Sequence, residues 1–378
     1  MSSSLPHEPG DGETLIFAPK NGGDSRIGRS FGTKSRIGEN ETRMIRRLYE
    51  RAPLYRKFKC FSTTCVYRKY TEHVQFRRAT PDDYENVVSI RPNVYNGYDY
   101  IPDTYHQLLK YNTGYVGFIE KEMVCFQFAA EIDNGRSVMI QSGRIKEKYE
   151  GLGLVSAMIK YGFNDVSQSA NRVVSVTRSP SARDKLLKRN AHLLCTMDRL
   201  VFSTSREALV STYRSANVDM SFPVVADASL LNDIFISQET TPNIFPENRL
   251  VIRGTVYELM DSNIDQILGL SDQVLVSRDS DTSSATLISF ASIWHCYPTS
   301  VVFINLYGDM VDEKDICGHI LRHTASMASS CREKVVVYVV CTKQYHKQTV
   351  RNVMEKHSWE FLTAHNLYAI EETFNRTS

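Results

Sequence analysis

Gln141-Ser142-Gly143-Arg144-Ile145-Lys146-Glu147-Lys148-Tyr149-Glu150-Gly151-Leu152-Gly153-Leu154 is the stretch on which the fold turns. It reads as the end of a strand, a turn with two glycines and the start of an amphipathic helix. The helix is predicted from Leu154 to about Gln168, where Leu154, Val155, Met158, Ile159, Tyr161 and Phe163 form a broad apolar face at helical spacing. Glycine allows positive φ and close approach of the backbone to a ligand. The free N–H groups of the first helical turn, aided by the helix dipole, then form a cradle for an anion such as a pyrophosphate. By themselves, two glycines also suit a strand-to-helix turn that holds no ligand.

Working upstream, runs at 115–120, 122–132 and 136–146 alternate or saturate with apolar residues, and Lys121 and Asp133-Asn134-Gly135 break them into antiparallel hairpins. Before them comes a strand at 74–78. Thr80 is a fitting N-cap, Pro81 suits the first helical turn, and Asp82 and Asp83 suit the positive helix end. That helix runs to about Ile90. A tyrosine-rich stretch at 95–102 and a second short helix at 103–111 follow. Downstream come a strand at 172–177, a helix at 181–191 and a strand at 199–203. The order predicts an α+β fold: a mixed sheet flanked by helices, with parallel pairing among the late strands.

From residue 206 a second unit begins, with strands at 251–257, 273–278 and 285–294. Strand 300–306, helix 313–329, strand 334–341, helix 345–356 and strand 360–370 then echo the late part of the first unit, as a diverged repeat would. The expected organisation is a disordered basic arm at 1–72, one domain at 74–204 and a C-terminal α/β domain at 226–378.

The chain has 378 residues, 42% hydrophobic and 23% charged, with a formal net charge of +2. That balance argues against nucleic acid or a membrane surface as the main partner. No apolar run approaches the roughly 20 residues of a membrane helix, and the N-terminus lacks the pattern of a secretory signal, so a cytoplasmic protein is expected. The eight cysteines have no metal-knuckle spacing and read as reduced core residues, with no metal site.

The glycine turn in this order of elements resembles the GNAT family of acetyl-CoA-dependent N-acetyltransferases over about residues 74–204. It is most similar to the histidine N-acetyltransferase type, on Phe76-Arg77-Arg78-Ala79-Thr80-Pro81-Asp82-Asp83-Tyr84, on Tyr98-Asp99-Tyr100-Ile101-Pro102 followed by Tyr105-His106, and on Arg144-Ile145 ahead of the turn. The resemblance implies a GNAT-like sheet followed by a diverged GNAT-like unit. It also implies acetyl-CoA as co-substrate and a small amine as acceptor, such as the α-amine of a free amino acid, histidine for example. Arg144, Ile145, Lys146, Glu150, Gly151, Leu152, Gly153 and Leu154 would then lie along the cofactor. In one register Glu150 stands where the family has Arg or Gln, and Val155 where it has a small residue. In another, Lys148 supplies the base and the helix shifts. A carboxylate at Glu150 would repel phosphate, with Lys146 and Lys148 offsetting it.

Catalysis needs an acceptor amine that has lost its proton and a thiolate that regains one. Glu131, ending its strand, is the candidate base. Gln141 is an amide and cannot serve. The family's tyrosine falls near Leu187, so Tyr149 is the candidate acid, with His192 and Tyr161 as substitutes. Tyr98, Asp99, Tyr100 and Tyr105 are expected to line an acceptor pocket for a cationic or aromatic amine. Rival readings are a protein N-acetyltransferase and a non-catalytic GNAT-fold protein.

Overall fold

Thr80 and Asp83 start the first helical segment as their types require. Thr80 N–H donates to Asp83 Oδ2 at 2.8 Å, and Arg77 grips the same carboxylate with two bonds of 2.7 Å. The computed structural model describes residues 73–373 apart from 93, 190, 217–222, 238–240, 280, 283, 309–311 and 343, so the predicted N-terminal arm lies outside the described residues. The first half runs β1 (Val74–Arg78), α1 (Tyr84–Ser89), α2 (Ile101–Tyr111), β2 (Thr113–Ile119), β3 (Glu122–Ile132), β4 (Ser137–Ile145), α3 (Leu154–Val166), β5 (Arg172–Thr177), α4 (Pro180–Leu187) and β6 (His192–Ser205). After α5 (Arg206–Ala216) come β7 (Val224–Val225), α6 (Ala228–Ile236), α7 (Thr241–Ile244), a hairpin of β8 (Arg249–Ile252) and β9 (Thr255–Glu258), and α8 (Ile264–Gly269). The chain ends with β10 (Gln273–Arg278), β11 (Ala285–Cys296), β12 (Thr299–Gly308), α9 (Glu313–Met327), β13 (Lys334–Cys341), α10 (Gln344–Lys356) and β14 (Glu360–Thr373).

Twelve of these strands form one sheet in the order β1-β2-β3-β4-β5-β14-β6-β13-β12-β11-β10-β7. The α+β class and the two related units read from the sequence are present. Their manner of joining is new. β14, the last strand of the second unit, inserts beside β5 of the first, and β6 of the first inserts beside β13 of the second. The two exchanged strands pair with each other along almost their whole length. This also explains why β6 starts at His192 and not near 199: its first half, 192–198, is held in the sheet by its pairing with β14.

Neighbouring strand residues point to opposite faces. Val116 packs with Val87, Tyr105 and Leu108 of α1 and α2, while Tyr115 packs with Phe163 of α3. The two early helices and α3 therefore cover opposite faces. The hairpin β8–β9 with α6, α7 and α8 extends the first face, and α5, α9 and α10 extend the second.

One gap in the sheet positions everything that follows. β4 and β5 run parallel but pair only at Ser137↔Arg172, Val138↔Val173 and Met139↔Val174. Beyond Met139 they diverge. The equivalent parallel pair of the second unit, β12 and β13, stays zipped from Thr299↔Lys334 to Leu306↔Cys341. A register shift in β3 at Gln127 accompanies the divergence, and Ser142 opposite it has φ +60°. Gln127 Nε2 donates to the Met158 carbonyl at 2.9 Å, tying the bulge to α3.

Candidate functional site

The glycine turn sits at the open end of this gap. β4 ends at Ile145, a single tight turn covers Glu147–Tyr149, and α3 begins after Gly153. Gly151 and Gly153 take φ of +76° and +77°, a left-handed conformation that disfavours any side chain. A Cβ built on Gly151 would meet nothing within 4 Å, so the space over the turn is open. The first N–H groups of α3 have no partner within the helix. Ile145 presents another. Lys146 N–H is spent on the Val124 carbonyl of β3 at 2.9 Å, and alternation along the strand turns the Ile145 N–H away from β3, into the gap. Open space, left-handed glycines and free donors fit a pyrophosphate with its attached arm running along β4.

The charges around the turn differ from the expectation. Glu150 holds Arg91 at 2.5 Å, so the carboxylate beside the cradle is already balanced, by a residue from the segment after α1. Lys146 and Lys148 do not perform that task. Both pair with Glu122, at 3.0 and 2.8 Å, and Tyr149 donates to the same carboxylate at 2.9 Å. Lys148 first, and then Lys146 and Tyr149, hold the Glu122 carboxyl down at about 2. Tyr149, the candidate acid, is thereby committed to Glu122, and burial pushes its phenol up.

The gap opens into a cavity of about 140 Å³ that passes through the sheet. On the α3 face it meets Val155 and Ile159. On the other face it meets Tyr95, Tyr98 and Tyr100 of the tyrosine-rich loop together with Arg253, Trp294, Phe303, Asn305 and Tyr338 from the second unit. Two contacts clamp the loop to β4: Asp99 Oδ1 receives Arg144 Nη2 at 2.5 Å, and Tyr100 OH meets Ser142 Oγ at 2.7 Å. Trp294 and Cys296 of the second unit donate to the Tyr98 and Asp99 carbonyls, at 3.3 and 3.2 Å.

Tyr98 and Tyr100 thus line the cavity. Asp99 does not: its carboxylate is spent on Arg144 and on the Ile101 N–H at 3.1 Å. Arg144, expected along the cofactor, is turned to the tyrosine-rich loop. Tyr105 is fully buried under α1, with its hydroxyl on the Thr80 carbonyl at 2.8 Å, and is a core residue. Glu131 is exposed and lies in register with Val138, at the zipped end of the β4–β5 pair, away from the lining. Leu187 and His192 are exposed, and Tyr161 stacks on Phe76 at 5.3 Å.

The charges that do line the cavity were not read from the sequence. Arg178 lies over Tyr95 at 5.1 Å, Arg199 over Tyr338 at 4.8 Å, and Arg253 over Trp294 at 5.7 Å. No aspartate, glutamate or histidine is among the lining residues. Arg199 is 8% exposed, and burial lowers its guanidinium to about 10. Its sequence signal was faint: an arginine at the head of the predicted strand 199–203, just before Leu200, Val201 and Phe202. Among the described residues no group of His, Cys, Asp and Glu could hold a metal ion.

The sequence profile of a family described as "Histidine N-acetyltransferase, C-terminal" matches residues 219–342. A histidine N-acetyltransferase of Scomber australasicus is 19% identical over 276 residues, which cover 67% of this chain and 81% of that one. One from Oreochromis niloticus is 18% identical over 281 residues, with the same coverage. The chain resembles the GNAT-type histidine N-acetyltransferases. The likeness first read on residues 74–204 therefore extends into the second unit, where the profile match falls. Among solved structures, a putative acetyltransferase from Pyrococcus horikoshii superposes with a TM-score of 0.46 at 11% identity, covering 80% of this chain and 90% of that one. No helix among the described residues is long and apolar enough to cross a membrane.

Proposed function

We propose that the protein moves an acetyl group from acetyl-CoA to the α-amine of a free amino acid, with histidine the first candidate. The observation that carries this reading is the β4–β5 gap, which joins the glycine turn to a cavity walled by both units. A cavity closed in this way suits a small acceptor better than a protein chain end in an open groove. The names of the curated relatives support histidine.

In this reading the backbone of Gly151, Leu152, Gly153 and Leu154 receives the pyrophosphate of acetyl-CoA, and the Ile145 N–H polarises the thioester carbonyl. The acceptor amine approaches from the side of Tyr98 and Tyr100. No carboxylate lines the cavity, so Glu131 does not carry the base role here. An ammonium ion set beside the guanidinium groups is driven toward its neutral form and loses a proton to water. On attack by the amine the C–S bond breaks, the second amine proton passes to the departing CoA sulfur, and positioning of amine and thioester lowers the barrier. The chain would be tested by thiol release from acetyl-CoA with a panel of amino acids, histidine included. Release with histidine above all others is the expected result. Binding of acetyl-CoA with no release from any amino acid would overturn the proposal.

A further inference from the structure

Arg199 is a cation buried in the sheet, on β6, and among the described residues it has neither an ion pair nor a hydrogen-bond partner for its Nε. Its only described contact of note is the face of Tyr338 at 4.8 Å. Arg253 reaches the same cavity from the opposite direction. It sits at the tip of the β8–β9 hairpin, where Ile252 pairs with Thr255 and the two loop residues Arg253 and Gly254 have φ of +49° and +85°. That turn favours Asn-Gly or Asp-Gly, and a long side chain in the left-handed region is uncommon there. Arg253 Nη1 donates to the Leu270 carbonyl at 3.3 Å, while the buried Nη2 has no partner. Asp103 and Asp272 act on it only from a distance, without an ion pair.

Buried cations are ordinarily paired. Two that are not, brought from different halves of the chain to one cavity without a carboxylate, imply that the counter-charge arrives with the ligand. Resting on the reading of the chain as an amino-acid acetyltransferase, we propose that Arg199 and Arg253 form a carboxylate clamp, which makes a free carboxylate obligatory on the acceptor. The guanidinium fork matches a carboxylate with two parallel bonds, and stacking on Tyr338 and Trp294 holds each fork in place. Amines without the carboxylate leave both cations buried and uncompensated, so they are rejected by loss of a partner rather than by size. Arg178, on the same wall, adds positive potential to the subsite.

The experiment uses the full chain with four probes: histidine, histidine amide, histidine methyl ester and the decarboxylated amine histamine. Wild type is expected to favour histidine over the other three by 100-fold or more in kcat/KM. Arg199→Met should raise KM for histidine at least 30-fold, leave histamine within a few-fold, and melt at or above the wild-type temperature, because it removes an unpaired buried charge. A residue with a merely structural role would lower the melting temperature and affect all four probes alike. Arg199→Lys should recover part of the histidine KM. Equal use of histidine and its amide by wild type overturns the clamp while the acetyltransferase reading stands. Transfer to none of the four by a chain that binds acetyl-CoA overturns both.

Discussion

Glu150→Gln changes the charge beside the glycine turn without changing its shape. In the native chain Glu150 precedes Gly151 and holds Arg91 at 2.5 Å, with both side chains about one-third exposed. The substitution leaves Arg91 with its positive charge and no partner. A unit charge about 8 Å from a phosphate is worth about 0.5 kcal/mol in bulk water and about 2 kcal/mol at the effective dielectric of a protein surface. Acetyl-CoA should therefore bind roughly 2- to 30-fold more tightly. The gain should be largest at low salt and shrink as salt shortens the screening length. Loss of an exposed pair changes stability by no more than about 1 kcal/mol. Arg91→Gln should act in the opposite sense, leaving Glu150 unbalanced and weakening binding. Calorimetric titration of acetyl-CoA at low and high salt reads both. If folded Glu150→Gln binds no more tightly at low salt, or Arg91→Gln binds as well as wild type, the account of the turn is wrong.

Gly153→Val places a branched side chain at φ +77°, which costs about 1–2 kcal/mol or more and obstructs the first turn of α3; acetyl-CoA affinity should fall at least tenfold while circular dichroism shows the fold retained. Glu131→Gln should leave kcat within about twofold, because Glu131 lies at the zipped end of the strand pair; a fall of 10²-fold would restore it as the base. His319 and His323 are fully buried and share Ser289 Oγ, at 2.6 and 2.7 Å; burial lowers His319 to about 3 and His323 well below its ordinary value. Their folded-state values lie below the unfolded value near 6.5, so the neutral pair stabilises the fold above pH 6.5, and that contribution is lost as pH falls from 6.5 toward 3. The urea midpoint should drop between pH 6.5 and 5, a window above the range where Glu122 titrates, and the drop should shrink in His319→Gln/His323→Gln; an equal drop in that variant would refute the assignment.

The glycine turn and the order of elements were legible because they are local. Positive φ needs glycine, and a helical apolar face repeats within a dozen residues. The charged lining of the cavity was not local. Arg178, Arg199 and Arg253 come from just after β5, from β6 and from a hairpin tip, and nothing in their flanking residues says that the three meet. Glu150 looked repulsive because its partner Arg91 lies 59 positions earlier. Asp99 and Tyr105 stood in a stretch rich in pocket-forming types, but the first was taken by Arg144 and the second by the core beneath α1. Strand partners are likewise silent in a period-2 pattern, so the exchange of β6 and β14 could not be read from either strand alone.

That exchange also sets a time order on the making of the protein. β14 is the last described element of the chain, and β5 of the first half has no other neighbour on that side. During synthesis the glycine turn and its helix emerge well before β14 has been made. The first half then waits with an open edge on β5, the kind of edge that invites pairing with other chains. Competence to bind acetyl-CoA should appear only once β14 is in place, in one step for both halves, and a chain from which β14 is removed should aggregate rather than yield a smaller working enzyme.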